Sequence, residues 1–317
     1  MDQYINQRTL SLADLRIKIG SVDFKNPIFV ASGTYGYGTE VSKLADINVL
    51  GAIVTKSVTR YPREGNPPPR IVETPSGMLN SIGLANIGVE EYIKKMIPLY
   101  EEFKTPIIMN IAGSTEDEYC EILEMTEQVS SNIAGYEINI SCPNVNVGGM
   151  EFGVDCDLTE QLTTKLRKLT DRLLIMKLSP NVTDIAAIGV AAEKGGADAL
   201  SAINTLVGMS INTTNKKSNI YYGYGGLSGP AIKPVGLACV HKIYQAVDIP
   251  LIGIGGIISA DDVLEYVLAG AVAVEVGTAN YRDPDVGNSI ILELDTLLDQ
   301  NDTGSISELI GNVELGS

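Results

Sequence analysis

Short apolar segments rich in valine, isoleucine and leucine recur along the chain. Most are followed by a polar or glycine-bearing turn and then by a longer segment of helical periodicity. Eight segments predict strands: 27–32, 51–56, 105–113, 135–141, 173–179, 197–204, 249–256 and 271–278. Their hydrophobicity is continuous rather than alternating, which is typical of strands buried on both faces of a parallel sheet.

Segments of helical periodicity lie between the predicted strands, and the clearest are 89–103, 114–129, 158–170 and 259–270. Ser259, followed by acidic residues, is suited to cap the last of them. About eight strand–helix units predict an α/β fold of the (β/α)8 TIM-barrel type, because right-handed crossovers between parallel strands roll the sheet up. A doubly wound open sheet is the alternative.

Two stretches, 57–86 and 205–229, interrupt the regular alternation with turn-rich sequence. Long insertions in a barrel usually lie at the carboxyl-terminal face, where active sites form. We therefore expect both insertions to help enclose a substrate. No segment has the composition of a linker between domains, so residues 1–317 are predicted to form a single domain.

Composition and charge mainly exclude certain classes of protein and partner. The 317 residues are 44% hydrophobic and 20% charged, which predicts a globular chain with a sizeable core. A net charge of −16 repels phosphate backbones and anionic membrane surfaces, so neither nucleic acid nor a membrane is an expected partner. Without an apparent signal peptide or a long apolar stretch, the sequence predicts a cytoplasmic protein.

The cysteines and the single histidine predict neither a metal site nor a disulfide framework. Cys120, Cys142, Cys156 and Cys239 form no CxxC pair, and the only histidine is His241. We expect Cys120, Cys156 and Cys239 to be buried and inert, although Cys156 closes the loop that begins at Cys142.

Polar, small and cationic residues stand at the carboxyl ends of the predicted strands, where barrel enzymes place their chemistry. In chain order they are Ser32 with Gly33, Lys56, Asn110, Asn139 with Cys142, Lys177, Asn204, Gly255 with Gly256, and Gly277 with Thr278. Core packing would not place Lys56 and Lys177 there, since a buried ammonium is costly unless it is paired. Extension of both lysines into solvent is the alternative.

Glycines after the last two strands, in "GIGGI" and "EVGTA", indicate a phosphate site. Backbone N–H groups after the seventh and eighth strands of a barrel commonly converge with a short helix on a phosphate. Each glycine pair alone more often marks a tight turn, but both together predict a phosphate or a phosphate-bearing cofactor.

A set of longer motifs between about residue 16 and residue 283 resembles the dihydroorotate dehydrogenases. The motifs are "NSIGLAN", "MNIAG", "NISCPNVNVGGMEFG", "MKLSPNVTDI", "SAINT", "GGLSGPAIKP", "IPLIGIGGI" and "VGTA", and their combination and order are specific. Cys142 with the following "GGMEFG" is similar to class 1B catalytic subunits, which work with an electron-transfer partner and NAD. Class 2 members carry a serine and an amino-terminal membrane segment, and we find neither feature here.

The resemblance implies that FMN binds at the carboxyl mouth of the barrel and that dihydroorotate is oxidised to orotate in pyrimidine synthesis. Its implied cofactor residues are Ser32, Lys56, Ser57, Asn110, Asn139, Lys177, Ile203, Gly229, Gly255, Gly256, Gly277 and Thr278. Its implied substrate residues are Lys56, Asn80, Ser81, Ile82, Gly83, Leu84, Asn139, Asn204 and Thr205. Side-chain amides suit the N–H and C=O edges of the substrate, and a lysine suits its carboxylate.

The resemblance also gives Cys142 a role, as the base that removes a proton on the side of the substrate opposite the flavin. A buried, inert thiol is the alternative. The segment from about 142 to 156 contains Gly148, Gly149 and Gly153 as candidate hinges, and we expect it to form an active-site lid.

The resemblance to class 1B also implies a second subunit that carries FAD and an iron–sulfur cluster, and a homodimer core of catalytic subunits within a heterotetramer. This sequence shows no cysteine cluster and no dinucleotide fingerprint for those groups. The alternatives are an FMN barrel acting on another dihydropyrimidine, a fumarate-using class 1A-type homodimer, and a non-catalytic flavin-binding barrel.

Overall fold

Eight parallel strands form a closed barrel in the structure, a computed structural model that describes residues 13–141 and 152–316. The strands are β1 (Ile28–Val30), β2 (Ala52–Val54), β3 (Ile107–Ile111), β4 (Ile133–Asn139), β5 (Leu173–Leu178), β6 (Ala199–Ala202), β7 (Leu251–Ile254) and β8 (Ala271–Val276). They follow one another around the barrel in sequence order, and β8 pairs with β1. All eight predicted strands and the closed (β/α)8 barrel are confirmed, and the open sheet is excluded.

Seven α-helices lie in the described parts of the chain. They are α1 (Gly88–Lys95), α2 (Glu116–Glu127), α3 (Cys156–Arg167), α4 (Ile185–Lys194), α5 (Lys233–Tyr244), α6 (Ala260–Leu268) and α7 (Val286–Gln300). Short 3-10 helices span Ile47–Val49, Ile97–Glu102, Phe152–Val154, Pro230–Ile232, Thr278–Tyr281 and Ile306–Leu309. One α-helix thus follows each barrel strand from β2 to β8.

The predicted helix 89–103 is divided in the structure. α1 ends at Lys95, and a 3-10 helix with Pro98 in its first turn replaces the rest. Proline cannot donate a helical hydrogen bond, so a break is expected there. The predicted cap of α6 is confirmed: the Ser259 hydroxyl accepts a hydrogen bond from the Asp262 amide, and the Asp262 carboxylate accepts one from the Ser259 amide.

In six of the eight barrel strands, every residue is buried. Only Ala134 in β4 and Val272 in β8 have partly exposed side chains. An antiparallel hairpin, Ile17–Ile19 with Val22–Phe24, packs at the amino-terminal end of the barrel, where a Cβ built on Gly20 in its turn would lie 3.2 Å from Leu173, the first residue of β5. This leaves the opposite, carboxyl end for the functional groups.

The two insertions join into one four-stranded antiparallel sheet, which we call the cap sheet. Its strands are, in order, Leu206–Met209, Tyr224–Ser228, Gly77–Asn80 and Ile71–Thr74. A two-stranded extension, Ile211–Asn212 with Lys217–Ser218, follows the first strand. Because the insertions follow β2 and β6, the cap sheet begins from the carboxyl ends of those strands, as expected for an enclosure.

Candidate active site

The carboxyl end of the barrel contains a buried polar cluster centred on Lys177, near the end of β5. The Lys177 ammonium donates to Glu137 Oε1 in β4 at 3.1 Å and to Glu275 Oε2 in β8 at 3.2 Å. The lysine is 6% exposed and both glutamates are 0% exposed. Extension of Lys177 into solvent is therefore wrong, because its charge is held inside the barrel by two carboxyl groups.

A chain of hydrogen bonds links this cluster to the end of β2. Ser57 Oγ donates to Asn110 Oδ1 at 2.5 Å, and Asn110 Nδ2 donates to Glu137 Oε1 at 2.6 Å. Ser201 Oγ in β6 donates to the other oxygen of Glu137 at 2.8 Å. Six strands or strand ends thus supply groups to one polar layer, in which Glu137 accepts most of the hydrogen bonds.

The charges in the cluster perturb one another strongly. Burial by itself would lower the pKa of Lys177, but the two carboxyl groups outweigh it and raise that pKa to about 12. Burial would also raise the pKa of Glu137, yet the Lys177 ammonium and the surrounding donors hold it below its usual value. Burial and the charge of Glu137 raise the pKa of Glu275 well above its usual value.

Two asparagines predicted to bind substrate lie together at the ends of β4 and β6. Asn204 Nδ2 donates to Asn139 Oδ1 at 3.2 Å, and the Tyr119 hydroxyl donates to the Asn139 carbonyl at 2.7 Å. Asn204 Oδ1 accepts from the Thr205 amide at 2.8 Å. The side-chain N–H groups of Asn139 have no described acceptor, so they remain free for a ligand.

The cap sheet brings Asn80 toward the same region. Asn80 Nδ2 donates to the carbonyl of Gly226 at 3.4 Å, and a Cβ built on Gly226 would lie 2.1 Å from Thr205 Oγ1. Backbone hydrogen bonds from Ser81 to Arg70 and from Asn66 to Ile82 hold the loop that follows Asn80. Within the described residues, no hydrogen bond joins Ile82, Gly83 or Leu84 to the other predicted site residues.

Two further predicted ligands stand just beyond the first two barrel strands, and both are half-buried: Ser32 after β1 and Lys56 after β2. Among the described residues the Lys56 ammonium has no hydrogen-bond or ion-pair partner. Its charge is therefore available to an anionic ligand. Ile203, directly after β6, is buried at 1% exposure.

The predicted phosphate glycines converge on one small region. A Cβ built on Gly256 would lie 2.9 Å from the Gly229 carbonyl oxygen and 3.0 Å from the Lys233 amide nitrogen. Thr278 joins them, since its Oγ1 donates to Ser228 Oγ at 2.8 Å. Gly256 has φ of +72°, and its amide donates to no acceptor among the described residues.

This region, formed by Gly229, Gly255, Gly256, Gly277 and Thr278, is called the glycine cradle below. A 3-10 helix begins at Thr278 and another follows Gly229, so first-turn amides border the cradle. The Lys233 ammonium is directed elsewhere, to Asp262 at 2.6 Å and Glu265 at 2.9 Å. The cradle is thus built mainly from backbone, and it fits a phosphate group.

Cys142 lies outside the described residues, as do residues 143–151 of the predicted lid. The part of that segment that is described is anchored to the barrel: Gly153 donates to the Ile140 carbonyl at 3.1 Å, and the Phe152 ring packs edge-on against Tyr119. Cys156 begins α3, two residues before the predicted helix start. The lid hypothesis stays a prediction.

The expectation of buried, inert cysteines is wrong for Cys156. Its side chain is exposed, because it occupies the first turn of α3 on the solvent side, whereas Cys120 and Cys239 are partly buried. Burial raises the pKa of both partly buried thiols, which disfavours the reactive thiolate.

Glu137, Ser201 and Glu275 are site residues that were not predicted from the sequence, although Ser201 begins the motif "SAINT". A signal was present, since "GYEINIS" and "AVAVEVGT" each place one glutamate inside a continuous apolar strand. A carboxylate in that position must find a partner in the barrel interior. The contact between Glu275 in β8 and Lys177 in β5 could not be foreseen in the same way. It forms only because the barrel closes, since β5 and β8 are not neighbours.

Two further properties of the described residues concern metal binding and membrane spanning. No group of three or more histidine, cysteine, aspartate or glutamate side chains in the described ranges is arranged to hold a metal ion. None of the described helices combines the length and the apolar composition needed to cross a membrane.

Comparisons with known proteins agree on one family. The sequence model of the family described as dihydroorotate dehydrogenase matches residues 14–298. A protein of Desulforamulus reducens named dihydroorotate dehydrogenase B (NAD(+)), catalytic subunit, is 50% identical over 302 residues, 95% of this chain and 99% of the relative. A protein of the same name from Geobacillus kaustophilus is 49% identical over 297 residues, 94% and 95% of the two chains.

Proposed function

The chain belongs to the dihydroorotate dehydrogenase family, and from that premise we propose that it oxidises dihydroorotate to orotate in pyrimidine biosynthesis as the catalytic subunit of an NAD-linked enzyme. The observation that carries the proposal is the near-complete coverage of both chains by relatives of that name. The geometry supports it, because anion-binding, amide-bearing and cationic groups meet at one end of the barrel.

FMN is the cofactor we propose for this site, one per chain. When bound, it supplies a hydride acceptor. The glycine cradle holds its phosphate. The polar and apolar residues at the barrel mouth contact the rest of the molecule: Ser32, Lys56, Ser57, Asn110, Asn139, Lys177 and Ile203. Lys177 supplies a fixed positive charge, which favours the negative charge that hydride transfer creates near it.

The substrate is a ring with amide edges and one carboxylate. Asn80, Asn139 and Asn204 offer side-chain donors and acceptors for the edges. The Lys56 ammonium, which has no partner in the described part of the chain, suits the carboxylate. Thr205 and the loop of Ser81, Ile82, Gly83 and Leu84 complete the proposed enclosure. Polar readout of this kind discriminates strongly against analogues that lack the matching groups.

Oxidation also requires that a proton leave the ring carbon next to the one that loses hydride. We assign this step to the thiolate of Cys142, acting as a general base. Two of the other cysteines are poor candidates for this role, because burial raises the pKa values of Cys120 and Cys239 and so disfavours their thiolates.

The relatives are named as catalytic subunits, which implies a separate partner subunit. We propose that the partner carries FAD and an iron–sulfur cluster and passes electrons to NAD. We further propose that two copies of this chain form a homodimer core within a heterotetramer. The cytoplasmic location inferred from the sequence remains a prediction.

A product assay separates this function from its alternatives. The isolated, FMN-loaded chain should form orotate from dihydroorotate with an artificial electron acceptor, and it should reduce NAD only after the electron-transfer subunit is added. Turnover of dihydrouracil without turnover of dihydroorotate would instead support the other dihydropyrimidine. Efficient reduction of fumarate by the isolated chain would support the class 1A-type reaction.

A further inference from the structure

Three buried ionisable side chains cross the barrel interior below its mouth: Glu137, Lys177 and Glu275. The proposed function makes direct use only of the lysine. Both glutamates nevertheless reach the same ammonium from strands on different sides of the barrel, β4 and β8. Their arrangement therefore needs an explanation of its own.

The positive and negative charges of this cluster do not balance if all three groups are ionised. Two carboxylates and one ammonium, all ionised, would leave a net negative charge in a site closed to water, which is strongly unfavourable. Glu137 Oε1 and Glu275 Oε2 also converge on the same ammonium nitrogen, at 3.1 and 3.2 Å, which brings two like charges close together. A single proton on one of the two carboxyl groups removes both the excess charge and the repulsion.

The neighbours of each carboxyl group indicate which one carries the proton. Glu137 accepts hydrogen bonds from Asn110, Ser201 and Lys177, and these donors favour its ionised form. Glu275 accepts only from Lys177, and no donor among the described residues reaches its buried Oε1. Burial and the charge of Glu137 raise the pKa of Glu275 well above its usual value.

We propose that Glu275 is a protonated positioning residue that donates its hydrogen to Glu137 and, together with it, fixes the Lys177 ammonium toward the cofactor site. This inference rests on the proposed function, because it takes FMN as the group that Lys177 faces. No other charged group contacts the cluster: within the described ranges Lys56 makes no ion pair, and Asn110 and Ser201 are neutral. The three side chains balance only one another.

Infrared spectroscopy of the full chain, stripped of flavin and kept near neutral pH, locates the proton directly. Exposed carboxyl groups are ionised there, so a carbonyl band of a protonated acid reports on buried acids alone. The wild type should show this band, and Glu275→Gln should remove it. Glu137→Gln should remove it too, since Glu275 then becomes the sole counter-ion of Lys177 and ionises.

A wild-type spectrum without the band, or a band that survives either substitution, would overturn the assignment of the proton. These measurements do not depend on bound flavin. If the wild-type chain binds no FMN, the proposed function fails, while the infrared result still decides where the proton lies.

FMN affinity tests the positioning role. Glutamine can donate to Glu137 as the protonated acid does, so Glu275→Gln should keep the Kd for FMN within about threefold of wild type, whereas Glu275→Leu should raise it at least about tenfold. Equal affinity in the two variants would show that Glu275 does not position Lys177. If Glu275→Leu does not fold, Glu275→Gln alone still tests the positioning role. Glutamine keeps a donor for Glu137, so a rise of about tenfold in the Kd of this variant for FMN would contradict that role.

Discussion

At the scale of single residues, the base proposed for the reaction gives the sharpest expectation. Cys142→Ala should still bind FMN but should lose dihydroorotate oxidation by about 10²–10⁴-fold, the usual contribution of a general base. Rapid-mixing measurement of flavin reduction checks this. Cys156→Ala is the matched control, because that thiol is exposed at the start of α3 and should leave the rate unchanged. Retained turnover in Cys142→Ala would contradict the role.

The buried proton on Glu275 predicts a dependence of stability on pH. Its folded-state pKa is raised above the unfolded value near 4.5, so its contribution is complete below about pH 4.5 and is lost as the pH rises. The free energy of unfolding of wild type, relative to Glu275→Gln, should therefore fall by up to about 1.4 kcal/mol per pH unit above that point.

Denaturant unfolding of the flavin-free chain across the pH range measures this difference. The raised pKa of Lys177 acts only near its value of about 12, so it leaves the acidic and neutral range unaffected. Substitution of the exposed Glu160 by glutamine controls for the change of residue type. A pH-independent difference between wild type and Glu275→Gln would argue against a proton on Glu275.

The residues of the site differ in how far sequence alone predicts them. Lys177 could be placed at a strand end because a lysine closing an apolar run is unusual. Its partner Glu275 could not be predicted, since that contact crosses the barrel between strands that do not pair. The predicted burial of Cys156 is wrong, because the burial of a residue at a helix start depends on which side of α3 faces the barrel.

At the scale of elements, the glycine cradle yields a test of cofactor binding. Gly256→Ala places a methyl group against the Gly229 carbonyl, where the FMN phosphate is proposed to bind, so affinity for FMN should fall at least about tenfold. Gly223→Ala is the matched control. Its φ of +82° resembles the +72° of Gly256, but no atom lies within 4 Å of the added carbon.

Both alanine variants should lose roughly 1–2 kcal/mol of stability from the left-handed backbone conformation, and only Gly256→Ala should lose FMN affinity. Riboflavin, which lacks the phosphate, should bind wild type and Gly256→Ala more nearly alike than FMN does. Equal loss of FMN affinity in both alanine variants would count against the cradle as the phosphate site.

Elements with a clear pattern are predictable, and elements defined by distant partners are not. The barrel strands are continuous apolar runs, so all eight could be identified. Helix α4, with the sequence "IAAIGVAAEK", is apolar on nearly every side, which obscures its helical period. The cap sheet pairs segments from two insertions more than a hundred residues apart, and nothing local to either insertion specifies that pairing.

At the scale of the whole molecule, the barrel explains how residues from all parts of the chain reach one site. Parallel strands in sequence order bring their carboxyl ends to a single mouth, which is where the sequence placed its polar residues. The fold was therefore largely predictable from strand number and periodicity. The chemistry depended on the motifs, since many functions share this barrel.

The central claim is that dihydroorotate reduces a flavin bound at this mouth. The most direct measurement is the absorption spectrum of the purified, FMN-loaded chain during anaerobic titration with dihydroorotate, with orotate quantified in the same samples. We expect the flavin bands to bleach as orotate appears in proportion to the flavin reduced. A bound flavin whose spectrum is unchanged by excess dihydroorotate, with no orotate formed, would contradict the account.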